Sequence, residues 1–348
     1  MALPTLLDKI TLVIATKNRH QYLERIIDYY SGSGINIIVA DATKEKYQGN
    51  IPANITYKHY PGIHYCTKLD DVFKKINTPY SLLCADDDFI IPNAISESIH
   101  FLEMNPDYAS AQGYYIMVHH SKDKLFYSPG YRSSVGVDIN EETAQERIKK
   151  FNRMDIQFFY CVHRTQTLKE VFSYASGQIV SLNLLEMLIG NLTLVNGKHK
   201  GLPVFYAVRE VISNSTGRSA GLDVISVSPE YKTQFDAFVS EVVRKISEKD
   251  QITLDEAKAF FLQSVQAHIK QNLPQTSSIK KLIAGLVNKK FIPRFIRKQL
   301  EHFLLVWQQE KQQQRLNILE TNYSFADKTN REELQRIESF ILKYSIRS

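Results

Sequence analysis

The stretch Tyr80-Ser81-Leu82-Leu83-Cys84-Ala85-Asp86-Asp87-Asp88-Phe89-Ile90-Ile91-Pro92 decides how the rest of the chain is read. Tyr80 to Cys84 is a short, largely apolar run that suits a strand buried on both faces of a parallel sheet. It runs directly into three consecutive carboxylates. Pro92 suits the first turn of a helix, where a missing N–H costs nothing, and that helix is expected to reach about Met104. Adjacent carboxylates repel one another and are poorly tolerated at a buried strand end unless a cation or hydrogen-bond donors offset them. A divalent metal, Mg²⁺ or Mn²⁺, is the economical partner, because hard oxygen ligands suit such an ion and it bridges carboxylates to phosphates. The bland alternative is a solvated acidic turn whose aspartates cap the following helix.

Upstream, Ile10 to Ala15 is another buried-strand run. It is followed by Thr16-Lys17-Asn18-Arg19 and by Leu23, Ile26, Ile27 and Tyr30 at helical spacing. Ser31-Gly32-Ser33-Gly34 stops that helix before a second run, Ile35 to Ala40, which ends in Asp41-Ala42-Thr43. Asn54 to His59 alternates as a third strand, and Cys66 to Ile76 carries a helical apolar face. Downstream, Tyr108 to Val118 reads as a strand, Ser128 to Gly136 as a loop, and Glu141 to Phe151 as a polar helix. Gln157 to Val162 then reads as a strand, Leu182 to Leu192 as an apolar helix, Val204 to Val211 as a strand and Ser213 to Gly221 as a mobile loop. Alternating strands and helices imply an α/β sheet of mostly parallel order. In such sheets ligands sit beyond the carboxyl ends of the strands, and here three of those ends carry polar groups directly after an apolar run.

The chain has 348 residues, 43% of them hydrophobic and 23% charged, which exceeds one average domain and gives ample material for a core. The expected organisation is a main α/β unit over residues 1–228 and a helical, basic part over 229–348. The formal charge of +6 sits mostly in that second part. From Ala257 to Leu300 there is no acidic residue, while Lys280, Lys281, Lys289, Lys290, Arg294, Arg297 and Lys298 fall among apolar side chains. A basic amphipathic stretch over 279–300 suits peripheral contact with an anionic membrane surface, or equally a helix packed on the main unit with a solvated face. Nucleic acid is not expected, since no recognised module accompanies the charge. Cys66, Cys84 and Cys161 form no metal or redox motif and read as reduced thiols. The amino terminus lacks the features of a signal peptide, and no run approaches the ~20 apolar residues that span a bilayer. The expected location is the cytoplasm, with peripheral contact at the inner face of its membrane.

The segments Thr11 to Arg19, Ile38 to Asp41 and Leu82 to Pro92 resemble the opening strand, second strand and D-x-D segment of GT-A glycosyltransferases. They are most similar to the family-2-like group and its bacterial branch with a "CADDDF" block, over roughly residues 8 to 215. The resemblance implies a Rossmann-like, nucleotide-binding, mostly parallel sheet flanked by helices, with a helical carboxyl-terminal extension. It implies a nucleotide-sugar donor and a glycan or lipid-linked acceptor in the synthesis of capsule or lipopolysaccharide. It places Thr16, Asn18 and Asp41 along the base and ribose, with Arg19 and Asp87 in the same donor site. Asp86 would face the ribose or a divalent metal, and Asp88 would ligate that metal. Lys68 would serve a diphosphate or structural role, and Arg209 would reach the diphosphate once the 213–221 loop closes.

Glu186 would be the base that deprotonates the acceptor hydroxyl, although the family's usual acidic pair is here a single residue, which leaves inversion or retention open. His163 or Arg164 would touch phosphate or acceptor. Each residue has a structural alternative: a helix cap for Asn18, a turn for Asp41, a solvated lysine for Lys68, an ordinary helix glutamate for Glu186 and a core histidine for His163. Two other functions compete. A degenerate GT-A domain would act as a glycan-binding or scaffold subunit. A nucleotidyltransferase generally carries a Gly-rich phosphate loop near the first strand, and Thr16 to Gln21 contains no glycine.

Overall fold

A computed structural model describes residues 6–121, 124–131, 135–211, 220–272 and 328–344. The apolar runs become the centre of one sheet. Strand β1 (Ile10–Thr16) is buried along its length apart from Ala15, and pairs in parallel with β2 (Asn36–Asp41) on one side and β4 (Tyr80–Ala85) on the other. Strand β3 (Ile55–His59) extends the parallel set beyond β2.

The sheet continues with β5 (Asp88–Ile90), β6 (Tyr108–Ser121), β7 (Lys124–Gly130), β8 (Asp138–Ile139), β9 (Val162–Arg164) and β10 (Lys198–Val211). Its order is β3-β2-β1-β4-β9-β6-β10-β5, with β7 on β6 and β8 on β10. Strand β6 runs parallel to β10, while β9 and β5 run against their neighbours. The expected architecture, a mostly parallel sheet with flanking helices and a helical carboxyl-terminal portion, is what forms.

Helix α1 (His20–Tyr30) joins β1 to β2, and α2 (Tyr65–Lys74) joins β3 to β4. These connections step in opposite directions along the sheet, so right-handed crossovers put the two helices on opposite faces. Helix α3 (Pro92–Met104) begins at its proline, and α4 (Ala144–Phe151) is capped by Thr143, whose hydroxyl accepts from Glu146 N. Helix α5 (Thr165–Ala175) follows β9 and packs on α2 through the parallel rings of Phe73 and Phe172, with centroids 4.8 Å apart. Helix α6 (Leu182–Asn196) starts at Ser181, whose hydroxyl accepts from Leu184 N, and is buried along most of its length.

Beyond the short α7 (Leu222–Ile225), helices α8 (Lys232–Asp250) and α9 (Leu254–Asn272) add Phe238, Val242, Ile246 and Phe261 to the same hydrophobic core. The last described helix, α10 (Lys328–Lys343), returns to α1: Glu333 accepts from Tyr29 Oη at 2.9 Å, and Arg336 Nη2 donates to Tyr29 O at 3.1 Å. The basic stretch 279–300 and most of the expected 213–221 loop lie outside the described residues. No described helix is long and apolar enough to cross a membrane.

Three elements differ from the sequence expectation. Ser128 to Gly130 lies in β7, paired with β6, because local Ser-Pro-Gly chemistry is overridden by a partner strand. The strand expected over 157–162 begins only at Val162, because the Gln157 side chain accepts from Phe159 N and ties the segment into a turn. The final strand starts at Lys198 rather than Val204.

Two core imidazoles make stability depend on pH. His163 and His199 are both fully buried, and burial lowers them to about 4 and about 3 respectively. The unfolded chain protonates such groups near pH 6.5, so their contribution is complete above that value and is lost as pH falls toward 4. Replacing both with asparagine is expected to make the stability curve between pH 6.5 and 4.5 shallower by up to about 1.4 kcal/mol per pH unit for each imidazole. Urea melts across that range check this. An unchanged slope would show that neither ring is held neutral.

Candidate functional site

The carboxyl ends of β1, β2 and β4 open on one side of the sheet, and the polar groups named from sequence meet there. Thr16 ends β1, and its hydroxyl donates to Asp86 Oδ2 at 2.5 Å. Asn18 takes the left-handed conformation, φ 57°, with its backbone N–H donated to Thr43 Oγ1. It is therefore not the helix cap, and Arg19 occupies that position without a side-chain capping bond. The turn aims Arg19 at the triplet, where it pairs with Asp86 Oδ1 at 3.2 Å and Asp87 Oδ2 at 2.6 Å and lies over the Tyr22 ring.

The triplet is split by the fold. Asp86 and Asp87 form the turn after β4, while Asp88 opens β5, whose antiparallel register sets it opposite Arg209 on β10. Asp88 Oδ2 accepts from Arg209 Nε at 3.0 Å and from Tyr160 Oη at 2.7 Å, and Oδ1 accepts from Glu210 N at 3.0 Å. Arg25, almost fully buried, donates to Asp87 O and pairs with Glu210 at 2.7 Å. All three aspartates are sealed from water. Burial pushes the Asp86 carboxyl up to about 7, with Arg19 pulling it back and Asp87 adding to the rise. Burial likewise raises Asp88 to about 6 against the opposing pull of Arg209.

Asp41 does not face an open space. It is fully buried, accepting from Tyr57 Oη at 2.6 Å and Thr43 N at 2.8 Å, with His20 Nε2 at 2.8 Å. Its part is to order the aromatic wall made by His20, Tyr47, Tyr57 and His59 beside the ends of β2 and β3. Lys68 on α2 is buried and donates to Thr16 O at 2.9 Å and Ala40 O at 2.8 Å, tying the first two strand ends together. Burial lowers its ammonium to about 8, while Asp41 and Asp86 oppose the shift. His163 lies apart in the core, between Phe158 O and the Thr193 hydroxyl, and Arg164 is spent on the carbonyls of Tyr108, Leu102 and Asn105. As placed, neither reaches a ligand.

Glu186 is the exposed exception in the first half of the nearly buried α6. The residue is exposed, has protein packed around its carboxylate, and makes no hydrogen bond to a described residue. That enclosure raises its pKa, and Arg209, close enough to act on it, opposes the rise. Arg209 is itself held by the Tyr131 hydroxyl on Nη1 and by the rings of Tyr160 and Tyr131, 5.0 and 5.6 Å from its central carbon. Its Nη2 makes no hydrogen bond to a described residue, and its side chain is 29% exposed.

The chain matches no family model and no curated protein. Solved structures to which it is similar include S. aureus TarS residues 1–349, at 13% identity and a TM-score of 0.48, covering 80% of this chain and 79% of that one. The same TarS fragment in complex with UDP-GlcNAc gives 14% identity and a TM-score of 0.48, covering 75% and 72%. At such values the likeness carries no inference about what this chain binds.

A divalent ion needs carboxylate oxygens with open lone pairs facing a common point. Both oxygens of Asp88 are engaged, Asp86 is held by Thr16 and Arg19, and among the described residues no three His, Cys, Asp or Glu side chains gather to hold an ion. The residues as placed do not fit Mg²⁺ or Mn²⁺, because guanidinium groups supply the charge that the triplet requires. Tyr131, Tyr160 and Arg25 were not named from sequence. Nothing in a lone tyrosine marks it as the partner of an ion pair contributed by distant strands.

The Thr16 bond gives a direct test of how the site is held. Thr16→Val keeps the shape but leaves a buried carboxylate short of a donor, and is expected to cost about 1–3 kcal/mol of stability. Chemical denaturation measures this. A loss below about 0.5 kcal/mol would mean that Asp86 finds another donor without cost.

Proposed function

We propose that this chain is a nucleotide-sugar-dependent glycosyltransferase that extends a glycan or lipid-linked acceptor in surface polysaccharide synthesis. One observation carries the reading. At the carboxyl ends of a mostly parallel sheet, a fixed guanidinium, Arg209, lies within electrostatic reach of a carboxylate of raised pKa, Glu186, and among the described residues neither Arg209 Nη2 nor that carboxylate has a hydrogen-bond partner. The first suits an anionic leaving group and the second an acceptor proton, the two demands of glycosyl transfer.

In this reading the base and ribose lie along the ends of β1 and β2, between the exposed Asn18 and the aromatic wall that Asp41 orders. The acceptor hydroxyl attacks the anomeric carbon and gives its proton to Glu186. The bond from that carbon to the diphosphate oxygen breaks, and the leaving diphosphate takes the electron pair toward Arg209. A carboxylate raised above its ordinary range is a better match to an acceptor proton at neutral pH than an unperturbed one. The solved partners of Asp86, Asp87 and Asp88 make the triplet a rigid frame for Arg19 and Arg209, which favours an active site over a solvated acidic turn. The basic stretch at 279–300 remains the proposed contact with an anionic membrane surface.

Two measurements test the reading. Calorimetric titration with UDP, GDP, CDP and CMP is expected to single out one nucleotide, and failure of all four would favour the scaffold alternative. Glu186→Gln is expected to keep that nucleotide's affinity within about threefold and to lower donor turnover by about 10²-fold or more. Equal turnover in the variant and the native protein would remove Glu186 from the reaction.

A further inference from the structure

Arg209 sits where the D-x-D reading would put a metal, and its surroundings show how it came to be fixed there. Antiparallel pairing of β5 with β10 sets Arg209 opposite Asp88, so the ion pair is built into the backbone register. Nε is held by Asp88, Nη1 by Tyr131, and the plane lies against Tyr160 and Tyr131. The remaining nitrogen, Nη2, makes no hydrogen bond to a described residue, and the group as a whole lies within electrostatic reach of Glu186.

A guanidinium so restrained has lost its rotamer freedom before any ligand arrives, and its planar fork matches phosphate oxygens. Each buried acid beside it has a cationic partner. Asp86, Asp87, Asp88 and Glu210 are met by Arg19, Arg25, Arg209 and, through the field of Asp86, Lys68. A divalent cation entering beside Asp88 would meet Arg209 at contact distance and find both Asp88 oxygens already engaged.

We propose that Arg209, locked onto Asp88 by β5–β10 pairing, is the cation of the diphosphate subsite, and that the donor nucleotide binds without a divalent metal. This rests on the proposed glycosyltransferase reading. In it Asp88 is a positioning residue, acting on the ligand only through Arg209, and the cation that stabilises the leaving diphosphate is contributed by the chain itself. The Tyr131 and Tyr160 rings then matter as walls that hold the guanidinium plane.

The test is calorimetric titration of the full chain with UDP, GDP and CDP, each in excess EDTA and again in excess Mn²⁺. The expected result is one nucleoside diphosphate whose Kd differs by less than about threefold between the two conditions, with Arg209→Gln weakening it at least about tenfold in both. Arg209→Lys, which keeps the charge but loses the fork, is expected to fall between. Binding by the native protein that appears only with Mn²⁺ would overturn the inference while leaving the glycosyltransferase reading intact. Absence of binding to any of the three nucleotides in either condition would overturn the inference, and, if CMP also fails to bind, the glycosyltransferase reading with it. Should the Arg209 variants fail to fold, the EDTA comparison on the native protein still decides between these outcomes.

Discussion

Three successive carboxylates, each almost cut off from water, can sit at the end of a buried strand only if positive charge is delivered to them from elsewhere in the fold. That requirement organises this molecule. Arg19 arrives from the turn after β1, Arg25 from the body of α1, and Arg209 from the far end of the sheet. An unpaired buried carboxylate would cost several kcal/mol, so the sheet order, the left-handed turn at Asn18 and the pairing of β5 with β10 are all tied to the electrostatics of one place. The pKa values of Asp86 and Asp88, still raised after this compensation, show that desolvation outweighs the arginines.

The same arrangement changes what the triplet is for. Read along the chain, Asp86, Asp87 and Asp88 are three equivalent acids at a strand end. In the folded chain they face different partners, and only Asp88 belongs to a strand. The more exposed side chains beside them are instead Glu186, Arg209 and Asn18. The carboxylates form the inner layer, and the arginines they hold, Arg19 and Arg209, reach outward from it.

Much of this was legible beforehand because burial and periodicity are local signals. Ile10 to Ala15, Ile35 to Ala40 and Tyr80 to Cys84 carry their strand character in their own side chains, and Pro92 marks the start of α3 to the residue. The apolar helix that carries Glu186 was legible in its own sequence, whereas the role of Glu186 as a base came only from the resemblance. The Asp88–Arg209 pair joins positions 121 residues apart, and no local pattern encodes which arginine will stand opposite which aspartate. The roles of Tyr131 and Tyr160 were hidden for the same reason. A histidine in a short strand reads alike from sequence whether its ring faces a ligand or, as His163 does here, Phe158 O and Thr193. Asp41 was correctly placed at a strand end, but its three bonds turn it inward.

Helix α10 covers α1, the element that carries Arg25 and follows directly from Arg19. Tyr29 is sandwiched between Phe89 beneath and Phe340 and Arg336 above, and Asp28 is closed by Lys343 and Tyr344. These contacts span about three hundred residues of sequence. During synthesis the outer face of α1 therefore stays bare until residues 328–344 have left the ribosome, although the sheet beneath it has long been available to fold. Pairings of such separation form late and slowly. The cover over α1 is thus among the later contacts a nascent chain acquires, and a chain released before residue 328 carries an arginine-bearing helix that lacks it.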